Sequence, residues 1–94
     1  MVPKNTKSKK LTAQKAFQFL SFFDHYEPKY FLGLGACTQM LKDYEKAVEC
    51  YTYASMLTGL NDPIPALHAA ECHLALGNLE EAASGFRYAH GIAA

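Results

Sequence analysis

Apolar residues recur every three or four positions in five stretches of the chain, and short turns containing glycine, proline, asparagine or aspartate separate these stretches. This spacing predicts five amphipathic helices and no strands. The predicted helices run from Thr12 to Phe23, from Pro28 to about Leu41, from Asp43 to near Gly59, from Asp62 to Gly77, and from Asn78 to the end of the chain. Thr12 and Asp43 are the expected N-cap residues of the first and third helices, because their side-chain oxygens can accept a hydrogen bond from a free amide of the first turn.

The helical pattern repeats along the chain. Equivalent residue types return after 34 and 35 positions, as in the three sets Ala13, Ala47, Ala82; Phe17, Tyr51, Phe86; and Leu20, Ala54, Ala89. A period near 34 built from helix, turn and helix is typical of tetratricopeptide repeats. We therefore expect an all-α tetratricopeptide-repeat solenoid of about two and a half helical hairpins. Its expected divisions are an incomplete first repeat (11–27) and two further repeats (28–61 and 62–94).

The charges are unevenly distributed along the 94 residues, although nine basic and nine acidic residues balance overall. Lys4, Lys7, Lys9 and Lys10 fall in residues 1–10, which lack a hydrophobic period and are expected to form a disordered, lysine-rich leader. The remaining chain is acidic, which disfavours nucleic acid as a partner. No apolar run is long enough to cross a bilayer, so we expect no membrane partner.

Little in the sequence suggests a catalytic or metal site. His68 and Cys72 are four residues apart, with Glu71 beside them, but two ligands do not make a zinc site, which needs three or four. The three cysteines, Cys37, Cys50 and Cys72, form no CxxC pair and fall at positions expected to pack inside the repeats. We therefore expect no metal, no cofactor and no enzymatic activity.

A concave groove is the expected functional surface, because stacked hairpins curve and the first helix of each hairpin lines the inner side. The residues expected to face the groove are Lys29, Leu32, Ala36, Gln39 and Met40 in one repeat and Ile64, Leu67, Glu71, Leu74 and Ala75 in the next. Most of them are apolar, which suits an extended apolar peptide. The alternative is that they meet a capping helix.

Three segments are more specific than the repeat pattern: FDHYEPKYFLGLGACTQ, YEKAVECYTYA and DPIPALHAAECHLALGNLEEAASGF. From about Ala13 to Ala93 the chain closely resembles the class II chaperones of bacterial type III secretion, the translocator chaperones of the LcrH/SycD type. The resemblance implies a cytoplasmic, non-enzymatic protein that can form homodimers and masks hydrophobic translocator proteins until secretion. Carried over by position, it implies client contacts at Leu32, Ala36, Gln39, Met40, Leu67, His68 and Glu71.

The chain departs from the resembled family in three places. The family has an N-terminal dimerisation region with a complete first repeat and a further helix beyond the position of Ala94, and it commonly carries larger aromatic residues where this chain has Ile64 and Ala66. The predicted function remains that of a translocator chaperone. Two alternatives stay open beside it: a general repeat scaffold or regulator, and a shortened family member that does not bind clients.

Overall fold

The computed structural model describes residues 6–59 and 61–93, and the description of side chains covers 9–59 and 61–91. Within those ranges the chain forms five α-helices and no strand, which confirms the predicted all-α repeat fold. The helices are α1 (Thr6–Phe23), α2 (Pro28–Met40), α3 (Tyr44–Leu57), α4 (Pro63–Ala75) and α5 (Leu79–Ala93). The assignment of repeats to 11–27, 28–61 and 62–94 stays a prediction.

Local sequence accounts for where the helices of the two full hairpins begin. Pro28 and Pro63 occupy the first turns of α2 and α4, where the amide that proline lacks would have no partner inside the helix. Ahead of each proline an acidic residue caps the helix: a Glu27 carboxylate oxygen accepts from the Lys29 amide at 3.2 Å, and Asp62 accepts from the Ile64 amide at 3.0 Å. Proline and acidic cap therefore return together 35 residues later.

The predicted cap at Asp43 is confirmed, since its side chain accepts a hydrogen bond from the Lys46 amide at 3.4 Å. The predicted cap at Thr12 is wrong, because α1 already begins at Thr6. Residues 6–10 of the expected disordered leader are therefore helical, whereas residues 1–5 lie outside the described part of the chain. Lysine has a good helix propensity, and neither proline nor glycine interrupts the chain between Thr6 and Phe23.

Each helix packs against the next one in the chain, so α1 to α5 form a stack of antiparallel neighbours measuring 43 × 30 × 20 Å. The core lies where α3 meets α4, with Ala47, Tyr51 and Cys72 buried together. Leu32, Tyr44, Val48 and Ala69 pack around these three residues. The core thus joins the two full hairpins, and it holds the first helices of both hairpins beside each other.

Apolar residues remain exposed on α1, where Phe19, Phe22 and Phe23 form a cluster of aromatic rings. Phe17, on another side of the helix, is half-buried with its ring against Gly33 of α2. The described helices include none that combines the length and the hydropathy needed to span a membrane.

Candidate binding groove

A groove of about 260 Å³ lies between the first helices of the two full hairpins. It is lined by Leu32, Ala36, Gln39 and Met40 of α2, by Tyr51 of α3, and by Ile64, His68 and Glu71 of α4. We refer to this surface as the α2–α4 groove. The 35-residue repeat positions it, because α2 and α4 are the equivalent helices of successive hairpins and α3 holds them side by side.

A chain of polar side chains crosses the floor of the groove. The Tyr51 hydroxyl donates a hydrogen bond to Gln39 Oε1 at 2.8 Å. The rings of Tyr51 and His68 stack with centroids 5.3 Å apart, and His68 Nδ1 lies 3.0 Å from Glu71 Oε1. Because Oε1 of Gln39 accepts from Tyr51, the amide NH₂ of Gln39 is the part that can donate to a bound peptide carbonyl. The Glu71 carboxylate can accept from a peptide amide in the same way.

The position of Tyr51 explains why the floor keeps its geometry. Only 1% of its surface is exposed, and desolvation by burial, the largest of several causes, raises the pKa of its hydroxyl. The hydroxyl therefore keeps its proton at neutral pH and remains a donor to Gln39. A buried, hydrogen-bonded ring that also stacks on His68 restricts the rotamers available on both sides of the groove.

Apolar side chains flank this polar floor. Leu32 is half-buried, whereas Met40 and Ile64 are 57% and 45% exposed. Exposed apolar groups next to a few fixed polar groups are the usual composition of a binding surface for an apolar ligand. The groove can therefore bury large apolar side chains while hydrogen-bonding to the backbone that carries them.

The structure brings together six of the seven residues that the resemblance implied, which are Leu32, Ala36, Gln39, Met40, His68 and Glu71. Leu67 is half-buried and is not among the lining residues. Lys29, Leu74 and Ala75, which the repeat geometry also placed in the groove, do not line it either. The partner-binding role of all these residues stays a prediction.

Sequence reasoning assigned Tyr51 to the core alone, although it also forms the groove floor. The signal available in the sequence was its hydroxyl, because a buried tyrosine needs a hydrogen-bond partner. The equivalent residue of the next hairpin is Phe86, which has no hydroxyl and needs no such partner. The partner, Gln39, lies twelve residues away on a different helix. Only the packing of α3 against α2 identifies it.

The three thiols are all buried. Desolvation by burial raises the pKa of both Cys50 and Cys72 to about 11, and that of Cys37 in the same direction. A thiolate nucleophile needs a lowered pKa, so these environments oppose the chemistry that a catalytic cysteine would require. His68 and Cys72 gain no third ligand, since the described residues contain no cluster of three metal-binding side chains.

The chain was compared with known proteins, and no protein-family model matches it. Low calcium response locus protein H from Yersinia pestis is 43% identical over 82 residues, which are 87% of this chain and 48% of that protein. The chain therefore spans about half the length of the curated relatives it matches.

Two solved structures combine higher coverage with close similarity of fold. PcrH, a Pseudomonas aeruginosa protein crystallised with the chaperone-binding region of PopB, is 52% identical with a TM-score of 0.85. The similarity covers 90% of this chain and 68% of PcrH.

The Yersinia enterocolitica type III secretion chaperone SycD, crystallised with a peptide of the translocator YopD, is 41% identical with a TM-score of 0.86. This similarity covers 90% of the chain and 64% of SycD. A further crystal structure of SycD contains an alternative dimer.

Proposed function

Because the chain belongs to the family of type III secretion translocator chaperones, we propose that it is a cytoplasmic chaperone for hydrophobic translocator proteins. In this proposal it binds an extended apolar segment of the client in the α2–α4 groove. The observation that carries the proposal is the convergence of six implied contact residues on one groove with a polar floor and apolar flanks.

The proposed mechanism is masking, with no bond made or broken. Apolar side chains of the client are buried against Leu32, Met40 and Ile64, while its backbone hydrogen-bonds to Gln39 and Glu71. Each large apolar side chain removed from water contributes about 1.5–3 kcal/mol before the entropy of ordering the peptide is subtracted. Two or three such side chains would keep the segment from aggregating and still permit its release.

Two relatives support this type of partner. PcrH binds a region of PopB, and SycD binds a peptide of YopD, in each case as a separate segment of the client. By analogy we assign the client contacts to Leu32, Ala36, Gln39, Met40, His68 and Glu71, with Leu67 as a supporting position. A homodimer is the corresponding proposal for self-association, since SycD forms dimers. The proposed activity is non-enzymatic and requires no cofactor.

The test compares two methionines of nearly equal exposure, Met40 in the α2–α4 groove at 57% and Met56 on α3 at 59%. A fluorescently labelled peptide of the PopB chaperone-binding region serves as the probe, with affinity read by anisotropy. We expect Met40→Glu to weaken binding at least tenfold, because a carboxylate would be desolvated against an apolar side chain. Met56→Glu adds the same charge to the same fold and should change the affinity less than twofold.

Equal losses for the two variants would show that net charge, rather than the groove, governs binding. If the unaltered chain is helical and cooperative in unfolding but does not bind the peptide, the chaperone proposal fails for this chain. Circular dichroism of all three proteins separates that result from a failure to fold.

A further inference from the structure

A second and larger groove, of about 560 Å³, lies between α3, α4 and α5, and we call it the α3–α5 groove. Its floor consists of the small residues Ala66, Ala69, Ala70 and Gly85. Met56 and Tyr88, both partly exposed, stand at its sides. A groove of this volume with an apolar floor is comparable to sites that take small ligands or single anchoring side chains.

Comparison of the two hairpins shows what the α3–α5 groove lacks. In the first hairpin the ring of Phe31 packs on Tyr53 with centroids 4.5 Å apart and an interplanar angle of 61°. Thirty-five residues later the same positions are Ala66 and Tyr88. The second hairpin therefore keeps the tyrosine and has the much smaller alanine side chain in place of the phenylalanine ring. Leu34, buried in the first hairpin, is likewise replaced by Ala69.

The charge at the edge of the groove also differs between the two hairpins. Glu80 and Glu81 both line the α3–α5 groove, whereas the equivalent pair in the first hairpin is Glu45 and Lys46. The other titratable lining residue besides the tyrosines is His73, whose Nδ1 lies 3.3 Å from Asn78 Nδ2. Arg87 is outside the lining and donates to the Ser84 hydroxyl at 3.4 Å. The rim therefore favours a cationic group next to the apolar floor.

From this geometry we propose that the α3–α5 groove is a second docking site, distinct from the α2–α4 groove, for a partner protein segment with one aromatic anchor beside a lysine or arginine. The aromatic ring occupies the space above Ala66 and Ala69 and meets Tyr88 edge to face, as Phe31 meets Tyr53. The neighbouring cation lies at Glu80 and Glu81. The first hairpin supplies the template for the anchor, and the acidic pair selects its flanking charge.

The probe is the tripeptide Lys-Phe-Lys, acetylated and amidated at its ends, titrated at low ionic strength into protein carrying ¹³C-labelled alanine methyl groups. We expect the methyl signals of Ala66, Ala69 and Ala70 to shift and saturate. The tripeptide Lys-Ala-Lys, which lacks the ring, should bind at least tenfold more weakly. Glu-Phe-Glu, which reverses the charge, should bind at least threefold more weakly, and salt should reduce that difference.

Two variants locate the site. Ala66→Phe restores the residue type of the first hairpin and should abolish the shifts at Ala69 and Ala70 without lowering the unfolding midpoint. Glu80→Gln combined with Glu81→Gln should remove the preference for Lys-Phe-Lys over Glu-Phe-Glu, and it remains informative if Ala66→Phe does not fold. Met40→Glu should leave all these shifts unchanged, so loss of client binding and loss of this site are separable.

Three results would overturn the proposal. The first is equal binding of Lys-Phe-Lys and Lys-Ala-Lys, and the second is unchanged binding after the double glutamine substitution. The third is a shift of the three methyl signals with protein concentration alone, which would show that a second copy of this chain occupies the groove.

Discussion

Lys42 adopts a left-handed backbone conformation, with φ of 66°, in the turn between α2 and α3. Gly77 stands at the equivalent position between α4 and α5, with φ of 83°. Glycine takes this conformation without steric cost, whereas a residue with a Cβ does not. The same turn is therefore built twice, once with the favourable residue and once without it.

We predict that Lys42→Gly stabilises the protein by about 1 kcal/mol, because it relieves the left-handed strain of an exposed residue. The reverse exchange, Gly77→Lys, should destabilise the protein by a similar amount. Urea unfolding followed by circular dichroism measures both effects. A stabilising Gly77→Lys would contradict the conformation assigned to these turns.

The helix pairs achieve close approach in different ways. In the first hairpin Gly35 lies under Tyr51, where an added Cβ would be 2.7 Å from Cε1 of the ring. In the second hairpin alanine replaces that glycine at position 70, and the small residue is Gly85 of α5, whose added Cβ would be 2.8 Å from Ala70 Cβ. The glycine that permits close packing thus lies on the first helix of the first hairpin and on the second helix of the second hairpin. Both pairs of helices can therefore pack closely.

At the level of this helix pair, Gly85→Ala is expected to cost about 1 kcal/mol or more, because overpacking against Ala70 outweighs the gain in helix propensity. Adding Ala70→Gly should recover part of that loss, giving a favourable coupling of about 1 kcal/mol in a double-mutant cycle. Gly91→Ala on the same helix is the matched control, since its added Cβ would meet no atom of another helix within 4 Å among the described residues, and it should not destabilise. If the stability effects of the substitutions at 70 and 85 were strictly additive, α4 and α5 would have to lie further apart than the contact between Gly85 and Ala70 implies.

Across the whole molecule, the two grooves share Tyr51 of α3 and are both lined by residues of α4. The α2–α4 groove uses the first helices of the hairpins, and the α3–α5 groove uses the second helices together with α4. At the other end of the stack, α1 carries lysines and the aromatic cluster of Phe19, Phe22 and Phe23. Contiguous exposed aromatic residues on a helix promote association.

We predict that replacing Phe22 and Phe23 by glutamine reduces self-association, measured by sedimentation velocity over a range of concentrations. The two rings are 77% and 70% exposed, so helicity and unfolding midpoint should remain close to those of the unaltered chain. Phe17→Gln is the control for the loss of a packed ring. Because the Phe17 ring packs against Gly33, this variant should lower the free energy of unfolding by about 2 kcal/mol or more. Unchanged association of the double variant would show that this cluster does not mediate contact between copies.

The sequence by itself determined the helices, their period and the family, because these depend on local spacing, on caps such as Asp43 and on motifs read along one chain. The 35-residue repeat also placed six lining residues of the α2–α4 groove, and the family resemblance added His68; the six are Leu32, Ala36, Gln39, Met40, Ile64 and Glu71. Sequence reasoning misplaced the start of α1, because lysine-rich helix and lysine-rich coil look alike without a packing pattern. It also put Lys29, Leu74 and Ala75 in the groove, which they do not line.

Only the tertiary structure decided that Tyr51 reaches Gln39 and His68, that Leu67 lies outside the groove lining, and that Ala66 leaves a cavity beside Tyr88. Each of these depends on the distance and rotation between packed helices, and a one-dimensional pattern does not contain those quantities.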